Sequence, residues 1–231
     1  MPAMNSAQHN PDLTPFRTIS DLVREHALAR PGHPALIQGD ERLSYAALDA
    51  LMDRVAATLQ RDGVGPGDSI AICANSSPRY AALFLGALRA GAVVAPLAPS
   101  VTPQSFASML GDAQARLLFV DDAALDALGN ATPSGRCIAL DGTAPGESFE
   151  RWLLPDGARP QPVQVSPAAP FNIIYSSGTT GLPKGIVQSH GMRWSHVARG
   201  AGYDYGAHGV TLLATPLYSC LLYTSPSPRD S

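Results

Sequence analysis

The chain has 231 residues, of which 45% are hydrophobic and 15% are charged, and its formal net charge is −3. This is an ordinary globular composition with enough residues for one large core or two small ones, and it lacks the basic excess expected of a nucleic-acid-binding protein. Three cysteines, Cys73, Cys137 and Cys220, are too few and too scattered for a disulfide framework or a zinc site.

The sequence carries no signal for export or for membrane insertion. Residues 1–12 are polar and contain proline, without the apolar core of a secretory signal. The most apolar run, residues 81–98, is interrupted by Arg89, Gly91 and Pro96, so it predicts a helix followed by a strand. We therefore expect a soluble cytoplasmic protein.

Predicted helices and strands alternate along most of the chain. Residues 1–15 are expected to form a flexible lead, and residues 155–170, with five prolines, a linker. Ser44 and Ser77 precede helical patterns as N-cap residues, and Pro78 suits a first helical turn. The predicted strands are residues 35–37, 69–73, 92–97, 116–120, 136–140, 171–175 and 186–188, and the predicted helices are residues 18–30, 44–63, 77–89, 102–113, 123–128, 148–154 and 191–199.

Strands alternating with helices of about a dozen residues predict an α/β fold with a parallel sheet and right-handed crossovers. In such sheets, ligands bind beside the carboxyl ends of the strands. The strand at residues 171–175 runs directly into the segment from Ser176 to Gly185. We therefore expect this segment at the ligand-binding edge of the sheet.

The segment from Ser176 to Gly185 concentrates the chemistry of an anion-binding loop. Its ten residues include three glycines, two serines, two threonines and one lysine. Glycine lets the backbone turn sharply and approach a ligand, exposed N–H groups form a nest for anionic oxygens, and hydroxyls add neutral donors. Lys184 contributes a flexible positive charge. We interpret the segment as a polyphosphate cradle at the end of a buried strand, in preference to a surface loop.

Two common phosphate-binding patterns do not fit this segment. A P-loop needs Gly, four residues and then Gly-Lys-Ser/Thr. Counting from Gly178 places Pro183 where the second glycine should stand, and Gly185 where the hydroxyl should stand. The dinucleotide pattern G-x-G-x-x-G is also absent from the segment.

Tyr175 to Gly185 resembles the phosphate-binding signature of the AMP-forming adenylating superfamily, which includes acyl-CoA synthetases, peptide-synthetase adenylation domains and luciferases. That signature is an aromatic residue, two small hydroxyl residues, Gly, two small hydroxyl residues, Gly, any residue and Pro-Lys-Gly, and every place is satisfied. Residues 43–49, 65–68 and 88–97 resemble further blocks of the family, in the same order.

The resemblance implies that residues 16–219 are a partial AMP-binding domain. This would be the truncated N-terminal part of the large domain of an adenylate-forming enzyme, with parallel-rich sheets and helices on both faces. Residues 220–231 are interpreted as a non-native tail, because Cys220 to Asp230 resembles a translated sequencing adaptor; the alternative is a genuine polar tail with Ser-Pro turns. By the same analogy, we expect an inactive fragment without the family's later adenine-, ribose- and magnesium-binding blocks.

The resemblance also implies a reaction. A carboxylic acid and ATP would give an acyl-adenylate and pyrophosphate, and coenzyme A would then capture the acyl group as a thioester. Thr180 and Lys184 are the implied catalytic residues, Mg²⁺ would bridge the phosphates, and no metal ligand is assigned to the chain itself. The implied ATP-binding residues are Ser176, Ser177, Gly178, Thr179, Thr180, Gly181, Lys184 and Gly185.

Three other hypotheses remain open. Fatty, aryl and amino acids are all candidate substrates, so the parent protein could instead be an adenylation domain for an aryl or amino acid. A phosphotransferase that uses the same loop would release ADP rather than AMP, and the failed P-loop spacing argues against it. The chain could also bind nucleotide without any activity.

Other reactive side chains receive structural interpretations. His190 and His196 are six residues apart, which is neither one helical face nor a metal-binding spacing, so we expect packing or surface roles. Asp121 and Asp122 follow a strand and are best explained as a helix N-cap. Cys73 lies within a predicted strand and is expected in the core.

Overall fold

The computed structural model describes residues 15–128, 136–141, 146–176, 183–200 and 209–218. The helices are α1 Ile19–Ala29, α2 Tyr45–Arg61, α3 Pro78–Arg89, α4 Pro103–Asp112, α5 Asp122–Leu128, α6 Phe149–Trp152 and α7 His190–Gly200. The strands are β1 Pro34–Gln38, β2 Glu41–Ser44, β3 Ser69–Cys73, β4 Val93–Leu97, β5 Leu117–Val120, β6 Cys137–Ala139, β7 Glu147–Ser148, β8 Pro170–Ser176 and β9 Lys184–Ser189.

Capping side chains fix where several helices begin. Ser44, Ser77 and Thr102 each accept a hydrogen bond from the backbone N–H three residues later, at 3.2, 3.1 and 3.2 Å. These bonds satisfy N–H groups that have no partner inside α2, α3 and α4. The predicted caps Ser44 and Ser77 are thus confirmed. Thr18 and Asp21 form a reciprocal capping box at the start of α1.

Seven strands form one mostly parallel sheet in the order β7-β6-β5-β3-β4-β8-β9. Each neighbouring pair is parallel except β8 and β9, which are antiparallel. The predicted α/β fold with a mostly parallel sheet is therefore confirmed. β1 and β2 form a separate antiparallel hairpin. β2 departs from the prediction because three of its four residues are polar, so it lacks the pattern of a half-buried strand.

Helices cover both faces of the sheet, as expected. All residues of β3 and β4 are buried, which is typical of parallel strands inside an α/β protein. Ile70 and Ile72 face a core that includes residues of α2 and α3, whereas Ala71 and Cys73 face a second core that includes residues of α4. Cys73 is therefore a core residue, as predicted.

A buried ionic network joins the first three helices. Arg89, in the last turn of α3, donates hydrogen bonds to Asp49 at 2.6 Å, to Asp53 at 2.8 Å and to Ser20 at 2.8 Å. Arg24 of α1 contacts the same two carboxylates. Asp53 is only 4% exposed, so its charge depends on these arginines for compensation.

Replacing Arg89 by methionine should strongly destabilise the fold. The variant keeps much of the side-chain volume but removes the most buried arginine partner of the Asp53 carboxylate, so we expect the free energy of unfolding to fall by about 3 kcal/mol. Urea denaturation measures this change. The matched control is Arg151→Met, an exposed arginine on α6, for which a change within about 0.5 kcal/mol is expected. Equal effects of the two substitutions would contradict the proposed importance of the network.

Candidate functional site

The carboxyl end of β8 lies at the edge of the sheet where β3, β4 and β5 also end. β8 runs parallel to β4, with Asn172 paired to Val94, and β4 runs parallel to β3. The segment that follows β8 therefore begins at the carboxyl edge, where ligands of α/β sheets usually bind. This confirms the position expected for the start of the loop.

The two ends of the predicted loop are neighbours in one β-ladder. Ser176 pairs with Lys184, and Tyr175 pairs with Gly185, as the last pairs of the β8–β9 hairpin. Among the other predicted site residues, Ser177, Gly178, Thr179, Thr180 and Gly181 lie outside the described residues.

The strand before the loop is less buried than predicted. Phe171 and Asn172 are 2% and 3% exposed, but residues 173–175 are only partly buried. The neighbouring strand β9 is the last strand of the sheet, and its Ile186 and Val187 are 52% and 61% exposed. The expectation of a buried strand is therefore correct only for the first part of β8.

Lys184 is the only lysine among the 16 lysine and arginine residues of the chain. Its side chain is exposed and forms no ion pair with any residue that the structure describes. A flexible ammonium in this state can bind an anion without first breaking a contact to those residues. Together with the preceding glycines and hydroxyl residues, it makes a donor set that suits a polyphosphate.

Tyr175, the aromatic residue of the signature, is anchored to α4. Its hydroxyl donates a hydrogen bond of 2.7 Å to Asp112 Oδ2 and lies 3.0 Å from the backbone oxygen of Met109. Burial and the Asp112 carboxylate raise the pKa of Tyr175 above its usual value, so its hydroxyl stays protonated and able to donate. Tyr175 therefore fixes the position of the strand end from which the loop departs.

Gly185 stands in a closely packed position beside this contact. A Cβ atom at position 185 would lie 2.9 Å from Asp112 Oδ2, 3.0 Å from Ile173 Cγ2 and 3.2 Å from Tyr175 Cε1. The ligand-binding role of Gly185 stays a prediction, and the structure shows in addition that this residue lies in a closely packed part of the hairpin. The sequence analysis did not identify Asp112, because nothing in the sequence marks this residue except that it is acidic and stands at the end of a predicted helix.

A second location at the carboxyl edge, between β3 and β5, is occupied by structural hydrogen bonds. β3 and β5 are neighbours in the sheet, but after β3 the chain continues to β4 on one side, whereas after β5 it continues to β6 on the other side. Such a switch point often forms a ligand-binding crevice. Here Asp121 Oδ2 accepts hydrogen bonds from Asn75 N at 2.8 Å and Asn75 Nδ2 at 3.0 Å, and Asp121 Oδ1 accepts one from Ala124 N at 2.8 Å. The bond to Ala124 caps α5, as predicted. Asp121 is thus a structural group, and the loop after β8 is the better candidate site.

The described ranges contain neither a metal-binding cluster nor a membrane-spanning helix. Within them, no group of three His, Cys, Asp or Glu side chains could hold a metal ion. No helix there is long and apolar enough to cross a membrane.

His190, at the start of α7, is a packing histidine, as predicted. Its side chain is 3% exposed, and its ring meets the ring of Phe171 edge-on with centroids 5.0 Å apart. Its Nε2 atom has no hydrogen-bond partner among the described residues. Burial lowers the pKa of His190 to about 4, because the charged imidazolium loses its hydration there.

A mostly parallel α/β sheet whose sequence continues from a carboxyl strand end into a glycine- and hydroxyl-rich segment ending in lysine is typical of α/β proteins that bind phosphate groups. The chain belongs to the AMP-binding enzyme family, whose model matches residues 23–225.

Curated relatives differ in the activity that their names indicate. The chain is 32% identical over 185 residues to a fatty acid–[acyl-carrier-protein] ligase of Streptomyces coeruleorubidus, covering 79% of this chain and 34% of the relative. It is 32% identical over 206 residues to an indoleacetate–CoA ligase of Aromatoleum aromaticum, covering 87% and 40%. It is also 34% identical over 195 residues to a nonribosomal peptide synthetase of Emericella nidulans, covering 84% and 8%. The chain thus spans well under half of the length of these relatives.

Solved structures of similar fold confirm the architecture. A chain described as a long-chain-fatty-acid CoA ligase from Rhodopseudomonas palustris matches with a TM-score of 0.77 at 22% identity. The match covers 87% of this chain and 52% of that one. This similarity establishes the fold, which is that of the N-terminal domain of adenylate-forming enzymes.

Replacing His190 by phenylalanine should weaken the acid sensitivity of the fold. In the folded state His190 stays neutral until the pH falls to about 4, whereas in the unfolded chain it is protonated near its usual pKa of about 6.5. The unfolded state therefore binds more protons between these pH values, and stability falls as the pH decreases. Between pH 6.5 and pH 4, we expect the free energy of unfolding of the wild type to fall by roughly 2 to 3 kcal/mol more than that of the variant. Urea titrations at several pH values measure this difference.

The matched control is Asn172→Leu, which alters a neighbouring buried polar side chain that does not titrate. It should change stability by a similar amount at every pH. If His190→Phe retains the full pH slope of the wild type, His190 is not the source of this sensitivity.

Proposed function

We propose that the chain provides the ATP-binding loop of an enzyme that activates a carboxylic acid as an acyl-adenylate and releases pyrophosphate. The observation that carries the proposal is the position of Lys184, the only lysine of the sequence, exposed at the carboxyl edge where the loop ends. Membership of the AMP-binding enzyme family supports the same reaction.

The chemistry assigns separate tasks to the loop residues. A carboxylate is a poor acyl donor because its oxygen is a poor leaving group, and joining it to AMP replaces that group with a better one. Donors aimed at the developing pyrophosphate charge stabilise the transition state. Lys184 neutralises that charge and Thr180 makes the closest phosphate contact, while Mg²⁺, bound with ATP, would add further charge neutralisation. The other phosphate-binding positions are Ser176, Ser177, Gly178, Thr179, Gly181 and Gly185.

The second half of the proposed reaction transfers the acyl group to a thiol. Coenzyme A is the proposed acceptor, and the similarity to an indoleacetate–CoA ligase supports it. A carrier-protein thiol is the second candidate, supported by the relative named as an acyl-carrier-protein ligase. Fatty, aryl and amino acids remain candidate substrates. The proposed location is the cytoplasm, where ATP and coenzyme A are both supplied.

Replacing Lys184 by alanine should weaken binding of MgATP by the 231-residue chain about 10- to 100-fold, the usual magnitude for one charge-assisted hydrogen bond. Isothermal titration calorimetry measures this affinity. Arg42→Ala removes an exposed positive charge from β2 and is the control, with little change expected. Unaltered affinity in Lys184→Ala would rule out the proposed role of the lysine.

The reaction itself is tested on the full-length gene product. We expect the wild type to exchange labelled pyrophosphate into ATP in a reaction that depends on added carboxylic acid. In Lys184→Ala, we expect this exchange to be at least about 100-fold slower than in the wild type. Release of ADP without exchange would instead support the phosphotransferase hypothesis and contradict adenylation.

A further inference from the structure

Asp112 stands at a position that helix electrostatics disfavour. It is the last residue of α4, and the last turn of α4 contains no basic residue. A carboxylate near the carboxyl end of a helix is repelled by the partial negative charge of the unpaired carbonyl groups. Its side chain nevertheless accepts the hydroxyl proton of Tyr175 at 2.7 Å. A residue that conflicts with local preference often serves a function elsewhere in the fold.

The contact is directed at the stem of the loop. Tyr175 is the residue before Ser176, and its ladder partner is Gly185, the residue after Lys184. Asp112 Oδ2 is 2.9 Å from where a Cβ atom on Gly185 would stand, so the carboxylate bonded to Tyr175 on β8 also lies close to β9. One side chain of α4 is therefore bonded to the residue before the loop and lies close to the residue after Lys184.

Asp112 is the stronger of two acceptors for the Tyr175 hydroxyl. The hydroxyl carries one proton, and Met109 O, the other acceptor, is 3.0 Å away. Met109 O already accepts the backbone N–H of Ala113 at 2.9 Å. Without Asp112, the hydroxyl can still donate to Met109 O, so we expect Tyr175 to be held less firmly but not released completely.

We propose that Asp112 is a positioning residue for the phosphate loop. Through Tyr175 it holds the β8–β9 stem from which the proposed ATP-binding segment departs. This inference rests on the proposed function of the loop as an ATP-binding element. It requires a hydrogen-bond acceptor at position 112 and does not require a negative charge, since a carboxylate close to an anion would by itself weaken binding.

The test uses four variants of the 231-residue chain: Asp112→Ala, Asp112→Asn, Tyr175→Phe and the double variant Asp112→Ala with Tyr175→Phe. Ser108→Ala, an exposed position one turn earlier on α4, is the control. MgATP affinity is measured by calorimetry. Hydrogen–deuterium exchange of residues 173–176 and 184–187 is measured without nucleotide, and circular dichroism checks that each variant folds.

We expect Asp112→Ala and Tyr175→Phe each to weaken MgATP binding about 3- to 10-fold, the effect of one hydrogen bond. The double variant should be no weaker than Tyr175→Phe, because removing the hydroxyl already abolishes its hydrogen bond to Asp112. Asp112→Asn should bind at least as well as the wild type, because its amide oxygen still accepts the hydroxyl proton. Exchange in the hairpin should be faster in Asp112→Ala and Tyr175→Phe and unchanged in Asp112→Asn and Ser108→Ala.

Several results would overturn the inference. Wild-type affinity and exchange in Asp112→Ala would show that the contact does not position the stem. An Asp112→Asn variant as weak as Asp112→Ala would show that charge, and not the hydrogen bond, is what matters. If the wild type does not bind MgATP, the proposed function fails, and the exchange comparison still decides whether Asp112 fixes the hairpin. If Asp112→Ala does not fold, Tyr175→Phe provides the same comparison.

Discussion

The simultaneous pairing of β8 with β4 and with β9 determines the geometry of the candidate site. β4 is fully buried, so its parallel pairing with β8 directs the chain towards the carboxyl edge. β9 then returns antiparallel instead of continuing into a helix. In a P-loop, the N-terminus of the following helix supplies N–H groups and partial positive charge for phosphate. A loop followed directly by a strand has no such helix dipole, so the proposed site draws its positive charge from Lys184, with Mg²⁺ bound to ATP as a further source.

Much of the fold follows from local signals in the sequence, whereas the direction of β9 does not. Ser44 and Ser77 mark helix starts because their hydroxyls accept backbone N–H groups whatever the tertiary structure. The alternation of strands and helices gave the parallel sheet but offered no direct sign that β9 turns back. One physical limit was available: a parallel crossover needs a dozen or more residues, and only about ten separate Tyr175 from Ile186. The contact of Asp112 with Tyr175 depends on packing across 63 residues and has no local signal.

The different use of arginine and lysine follows from their chemistry. Arg89 bridges Asp49 and Asp53 with separate guanidinium nitrogens, and a planar fork of fixed donors suits such permanent pairs. An ammonium on a flexible stem holds no fixed geometry, which is a disadvantage in a buried network. The same property is an advantage beside a phosphate chain that changes charge and position as pyrophosphate departs. The single lysine thus stands at the one proposed site where the partner moves during the reaction.

The acidic residue behind the hairpin places a limit on how the site can be arranged. The Asp112 carboxylate would repel a triphosphate, and the energy of that repulsion falls with distance and with exposure to water. Asp112 is exposed and bonded to a hydroxyl on the stem side of the loop, so solvent screens its charge while the bond still acts on Tyr175. A buried carboxylate at the same place would hold the tyrosine equally well and oppose the ligand more strongly. The exposure of Asp112 therefore makes its proposed positioning role compatible with the proposed binding of an anion by the loop.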